Sequence, residues 1–131
     1  MYEPIRTKSV HSMADADFPH RTREEELDIQ LAGHLAALLS VTDDLGLDHA
    51  AELIAQQITR LRGTTPPRTS TPPPGTDTTE LHRRALALAG RALVVAASRA
   101  DTTAAILAAE RMDAHRASLR LPEEHPLAPA H

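Results

Sequence analysis

The feature that most constrains the fold is a segment that cannot form part of a hydrophobic core. Between Leu61 and Leu81 the chain has no large apolar residue, and half of its 10 prolines lie there. Proline lacks a backbone N–H donor, and clusters of Pro, Thr, Ser and Gly favour extended, solvated chain. The sequence therefore predicts a flexible linker over residues 63–76. Replacing Thr65–Pro74 with Gly and Ser is expected to change the free energy of unfolding by less than about 1 kcal/mol.

Both flanks of this linker carry apolar residues at the spacing that is typical of amphipathic helices. The predicted fold class is all-α: a four-helix bundle made of two αα-hairpins joined by the Pro/Thr-rich linker. The bundle domain is predicted over residues 22–121, between a flexible N-terminal arm, 1–21, and a flexible C-terminal tail, 122–131. The predicted helices cover residues 22–45, 48–62, 78–99 and 102–120.

Residues that cap helices mark these boundaries. Thr22–Glu25 and Asp77–Glu80 have the sequence of a capping box, in which two side chains satisfy the free N–H groups of the first turn. Asp48 and Asp101 are expected to cap the second and fourth helices. The expected stops are Gly46, Gly63 and Pro122.

The two predicted hairpins resemble each other. Leu31-Ala32-Gly33 matches Leu88-Ala89-Gly90, and the segment from Asp48 to Ala55 matches that from Asp101 to Ala108. The interpretations are a duplicated hairpin with a pseudo-two-fold axis, or coincidence in an Ala- and Leu-rich sequence. A glycine inside a helix costs about 1 kcal/mol relative to alanine. Gly33 and Gly90 therefore indicate a close approach of the first and third helices. The alternative is that both glycines are neutral substitutions tolerated on an exposed helix face.

Composition excludes several chemistries. The chain has no Cys, which excludes disulfides, thiolate nucleophiles and iron–sulfur clusters. Its formal net charge is -4, and Tyr2 and Phe18 are its only aromatic residues, which argues against a nucleic-acid-binding surface. No apolar run approaches the roughly 20 residues of a membrane span. We expect a cytoplasmic protein without a membrane partner, encoded by a GC-rich bacterial genome.

The histidines are the candidates for chemistry. An up-down-up-down bundle is expected to place the start of the third helix beside the end of the fourth, where His82 and His115 would meet, near Glu80 and Asp113 as oxygen ligands. His34 lies near the middle of the first helix and is expected in another layer. One interpretation is a ligand, metal or acid–base site built from His82, His115 and His34. The other is a set of half-buried histidines at the edges of the apolar faces.

Motifs for phosphate, dinucleotide or nucleophilic serine sites are absent, so neither a cofactor nor a catalytic residue is predicted. The favoured function is a non-enzymatic helical module for protein–protein contact, an accessory or regulatory protein. Because its core must rely on Ala and Leu, we expect a homodimer, with helix one or helix three at the interface. The alternatives are a small-ligand or metal-binding bundle, enzymatic or not, and a DNA-binding regulator, which the negative charge disfavours. The interface candidates are Gly33, Gly90, Arg84 and Arg91.

Overall fold

A computed structural model of the chain describes residues 22–69, 72 and 74–124, and this part is helical without any strand. The all-α prediction is confirmed, and the four helices form a bundle. The predicted arm, residues 1–21, and the last seven residues of the predicted tail lie outside the described residues. None of the described helices combines the length and the apolar composition needed to cross a membrane. The helices are α1 (Arg23–Asp44), α2 (Asp48–Arg62), α3 (Thr78–Arg99) and α4 (Thr102–Glu124).

The capping residues form most of the bonds that the sequence predicts. The Thr22 hydroxyl accepts from the Glu25 N–H at 3.0 Å, and the Glu25 carboxylate accepts from the Thr22 N–H at 2.8 Å. Asp77 accepts from the N–H groups of Thr79 and Glu80 at 3.0 and 3.3 Å. The Glu80 carboxylate lies instead 3.6 Å from the Arg83 guanidinium, so only half of this second box is formed.

The predicted span of the second helix, 48–62, is confirmed, but one predicted cap and one predicted stop are wrong. Asp48 is the first residue of α2 and not its cap, because the turn after α1 closes through an N–H donated by Leu47 to the Thr42 carbonyl. Leu47 therefore occupies the cap position, and the Asp48 carboxylate stands in the first turn, where the helix dipole favours it. Pro122 does not stop α4, which continues to Glu124. A proline removes one backbone donor, and in the last turns of a helix that loss affects a single hydrogen bond.

Two ion pairs define the helix directions. Asp28, near the start of α1, is 3.0 Å from Arg99 at the end of α3, and Arg60, near the end of α2, is 2.9 Å from Asp101 at the start of α4. Helix α1 is therefore antiparallel to α3, and α2 is antiparallel to α4. The expected up-down-up-down order is wrong: the order is up-down-down-up. The linker must return from one end of the bundle to the other, because α2 ends where α3 also ends.

The core lies where leucines of α1 meet alanines of α3. Helix α1 packs on both α2 and α3, and α3 packs on both α1 and α4, whereas α2 and α4 touch only sparsely. Small side chains on α3 let the helices approach closely, and the long side chains of α1 fill the space between them. The fully buried residues of this seam are Leu31, Leu35, Leu38, Ala85, Ala89, Ala92 and Ala96.

The first half of the linker is attached to the bundle. The Asp43 carboxylate, 3% exposed, accepts two hydrogen bonds from the Arg68 guanidinium at 2.9 and 2.8 Å and one from the Thr69 N–H at 3.2 Å. Pro66 is buried. The hydrogen bonds from Arg68 hold the Asp43 pKa below its usual value. The expectation of a solvated backbone is therefore wrong at Thr69, since a buried carboxylate needs donors and the linker supplies them.

We expect Arg68→Ala to lower the free energy of unfolding by about 1–3 kcal/mol, because it leaves the Asp43 carboxylate buried without its cation. Urea denaturation at pH 7 measures the change. Arg62→Ala is the matched control, since Arg62 is exposed at the end of α2. The paired state lowers the Asp43 pKa, so its stabilisation should be present at neutral pH and be lost in acid as the carboxylate becomes protonated. Equal losses from the two variants would contradict the attachment.

The helix directions are those that a two-fold axis between the hairpins would produce. Positions that match in sequence also match in burial: Ala51 and Ala104 are both fully buried, and Ile54 and Leu107 are 0% and 7% exposed. The duplication itself stays a prediction.

The expectation of close approach at the glycines is wrong within the chain. Among the described residues, a Cβ at Gly33 would meet nothing within 4 Å, and one at Gly90 would meet only the Met112 Cε at 3.8 Å.

We expect Gly33→Ala to raise the free energy of unfolding by up to about 1 kcal/mol, because alanine is the better helix former and has room. Gly63→Ala is the opposing control, since Gly63 has a φ of 81°, which an alanine adopts at a cost. Thermal unfolding followed by circular dichroism compares the two. A destabilised Gly33→Ala protein would show that α1 cannot accept a Cβ at this position. An interface between two copies at Gly33 would have this effect.

Candidate functional site

Two histidines meet between α3 and α4. The Nδ1 atoms of His82 and His115 are 2.9 Å apart, and the ring centroids are 5.1 Å apart with the planes tilted by 52°. His115 is fully buried and His82 is half-buried. The predicted proximity of the two residues is present in spite of the different helix order. It depends only on the antiparallel α3–α4 hairpin, which both helix orders share.

The short distance between the Nδ1 atoms is that of a hydrogen bond, so one ring must donate and the other accept. If His82 donates, His115 carries its proton on Nε2; if His115 donates, its Nε2 is a bare acceptor. In either tautomer the His115 Nε2 is a buried polar atom without a hydrogen-bond partner among the described residues. Buried polar atoms of this kind are uncommon and are costly to the folded state.

Arg111 adds a cation to this site, one helical turn before His115 on α4. In the described part of the chain the Arg111 Nε is also buried without a hydrogen-bond partner, and burial lowers the pKa of the Arg111 guanidinium. Burial lowers the pKa of His115 to about 4, with smaller contributions from the Arg111 charge and from His82. Burial, followed by the Arg111 charge, also lowers the pKa of His82. Both rings are therefore uncharged near neutral pH.

Uncharged imidazoles are good metal ligands, but the surroundings supply little else for a cation. Within the described ranges no three His, Cys, Asp or Glu side chains are grouped as a metal site would need. The expected oxygen ligands are engaged elsewhere and exposed: Glu80 with Arg83, and Asp113 with Arg116 at 3.7 Å. The positive charge of Arg111 also opposes a cation at this place. The arrangement is a neutral polar contact that ties α3 to α4, and a ligand at it stays a prediction.

The remaining candidates lie apart from this pair. His34 is half-buried on α1, and among the described residues neither ring of the pair contacts it. Arg84 and Arg91 are exposed on α3, as Gly33 is on α1. Sequence reasoning missed Arg111, whose only signal is its position four residues before a histidine on the same helix face. Comparison with protein-family models, with curated proteins and with solved structures found no match.

We expect the stability that His115 provides to depend on pH. Its pKa in the folded chain, about 4, lies below the value of 6.5 expected when it is exposed, so the unfolded chain binds more protons between these values. Its contribution should be complete above pH 6.5 and decrease as the pH falls toward 4. One pKa unit corresponds to about 1.4 kcal/mol.

The measurement is urea denaturation of the wild type and of His115→Leu between pH 7.5 and pH 4. The wild type should lose more stability over this range than His115→Leu, which cannot titrate at position 115. His49→Gln, at an exposed position on α2, serves as the control and should follow the wild type. Parallel curves for wild type and His115→Leu would show that His115 is not the titrating group.

Proposed function

We propose that this protein is a non-enzymatic helical module that acts by contact with another protein through one face of the α3–α4 hairpin. This face, the outer face, contains apolar residues that flank the contact between the two helices. None of these residues is charged and none is fully buried. They are Gly90, Leu93, Val94 and Ala97 on α3, and Ala105, Ile106, Ala109 and Met112 on α4.

Two contacts support the grouping of these residues on one face. Ala97, Ala105, Ile106 and Ala109 line a groove of about 360 Å³ beside the α3–α4 turn. Farther from the turn, a Cβ at Gly90 would be 3.8 Å from the Met112 Cε. Ile106, 54% exposed, lines the groove, and Val94, 66% exposed, lies about one turn before Ala97 on α3. The small side chains between them leave room for a side chain from another molecule.

The observation that carries the proposal is a contrast between the two hairpins. Matched by the two sequence repeats, Ala97, Ala105, Ala109 and Met112 correspond to Ser40, Glu52, Gln56 and Thr59 of the α1–α2 hairpin. These four positions are thus polar in one hairpin and apolar in the other, whereas Gly90, Leu93, Val94 and Ile106 correspond to the apolar residues Gly33, Ala36, Ala37 and Leu53. Packing within the bundle does not require apolar residues at the four positions that differ, because α1 and α2 pack against each other with polar residues there. Exposed apolar surface that internal packing does not need favours a binding site.

The homodimer expected from the sequence fits this proposal, since an apolar face on a small bundle is covered most simply by another helical surface. A ligand at the His82–His115 pair is less well supported, because no third ligand accompanies the rings in the described residues. The pair also lies inside the hairpin and not on its outer face.

The test compares aspartate variants in an extract of the host. We expect the wild type to sediment as a species larger than the 14.2 kDa monomer, and Val94→Asp with Ile106→Asp to return it to monomer size. A buried interfacial charge without a partner is strongly unfavourable. Ile29→Asp is the matched control, because Ile29 on α1 is 47% exposed and lies outside the outer face. An assembly that survives the double variant, or no assembly at all, would refute the proposal.

A further inference from the structure

We propose that the partner on the outer face is a second copy of this chain, arranged so that α3 of each copy lies over α4 of the other. This inference rests on the proposed function, since it names the occupant of the same face. The argument comes from the charges at the two edges of the face. These charges distinguish between the two ways in which a symmetric dimer can cover it.

The two edges carry opposite charge. Arg91 is exposed on α3, one step around the helix from Val94, on the side away from α4. Glu110 is exposed on α4, one turn from Ile106, on the side away from α3. Neither has an ion-pair partner among the contacts of the described residues. Arg84, two turns before Arg91 on the same helix, extends the basic edge.

The hairpin register places Arg91 and Glu110 at nearly the same height. The turn between the helices lies at Ala100–Asp101, and Gly90 faces Met112 farther along. Counting from the turn or from Gly90 and Met112, position 91 on α3 lies level with position 110 on α4 to within one residue. Counting from His82 and His115, position 91 lies level with position 106, so Arg91 and Glu110 are level to within about one turn. Val94 and Ile106 lie level to within about two residues, or ~3 Å at the helical rise.

A face-to-face dimer with two-fold symmetry has two simple arrangements. If the symmetry axis runs across the helices, each α3 covers the partner's α3, and the basic edges meet each other. If the axis runs along the helices, each α3 covers the partner's α4 and heights are preserved. Arg91 then meets the partner's Glu110, and by symmetry Glu110 meets the partner's Arg91. Like charges penalise the first arrangement, and opposite charges favour the second.

The apolar residues fit the same arrangement. Preserved heights place Val94 above the partner's Ile106, so that the two most exposed large apolar side chains in the described part of each copy cover each other. The alanines between them allow the two hairpins to approach closely, as the buried alanines of α3 do within the bundle. The charged edges then select the orientation, and the apolar centre provides most of the affinity.

Charge reversal tests the contact in purified protein. Sedimentation equilibrium should show that Arg91→Glu and Glu110→Arg each raise the dimer dissociation constant by about tenfold or more, since each substitution affects two symmetric contacts. The double variant should restore the dissociation constant to within about threefold of the wild-type value, because the positive and negative charges have only exchanged places. Arg62→Glu, on α2, should have little effect. Single reversals that weaken the dimer without rescue by the double variant would overturn the pairing.

Cross-linking tests the orientation directly, because the chain contains no cysteine of its own. A short bismaleimide should join Val94→Cys to Ile106→Cys when the two variants are mixed, and should join neither variant to itself. Cross-linked dimers of Val94→Cys alone would overturn the arrangement and leave the outer face as the interface.

A purified wild type that stays monomeric at high micromolar concentration would overturn the second copy as partner. The proposed function would still hold if the assembly in host extract depends on Val94 and Ile106. The two failures can therefore be distinguished.

Discussion

The docking of α1 on α3 is the contact on which the rest of the structure depends. It is the one extensive contact between the two hairpins in the described part of the chain, because α2 and α4 touch only sparsely. Leucines on one side and alanines on the other bring the helix axes close and exclude water. The ion pairs Asp28–Arg99 and Arg60–Asp101 lie together at one end of the bundle and are partly exposed. They fix the register of the hairpins more than they contribute to stability.

This seam also decides which surfaces remain for function. It takes up the inner sides of α1 and α3, so that the α3–α4 hairpin keeps its opposite side in contact with solvent. Within that hairpin the His82–His115 contact joins one buried and one half-buried ring, and its uncharged state is the one that burial favours. A polar contact inside the hairpin and an apolar surface outside it are the reverse of the usual distribution. This reversal distinguishes α3–α4 from α1–α2, in which four of the eight corresponding outer positions are polar.

Local rules predicted the helices and the histidine pair, and failed where distant residues interact. Thr22, Asp77 and Asp101 act within one turn of themselves, so their roles could be inferred from spacing alone. His82 and His115 could be matched because a hairpin fixes the register across its turn. The Arg68–Asp43 contact joins residues 25 positions apart through a Pro-rich segment, and periodicity contains no information about it. Arg111 escaped notice because burial of its Nε depends on tertiary packing, which a hydrophobic pattern does not specify.

The attachment of Arg68 has a consequence for how the polypeptide could be divided. The linker contacts with α1 that the structure describes are made by Arg68 and Thr69, so a break after Thr69 would separate the chain into two hairpins and leave these contacts with the first of them. Each fragment would keep its own turn and its own caps. The covalent connection then contributes mainly an effective concentration, on the order of millimolar for a short linker. The bundle is therefore equivalent to two different hairpins that associate noncovalently and are joined by a linker. Mixing the two separate hairpin fragments would reconstitute it.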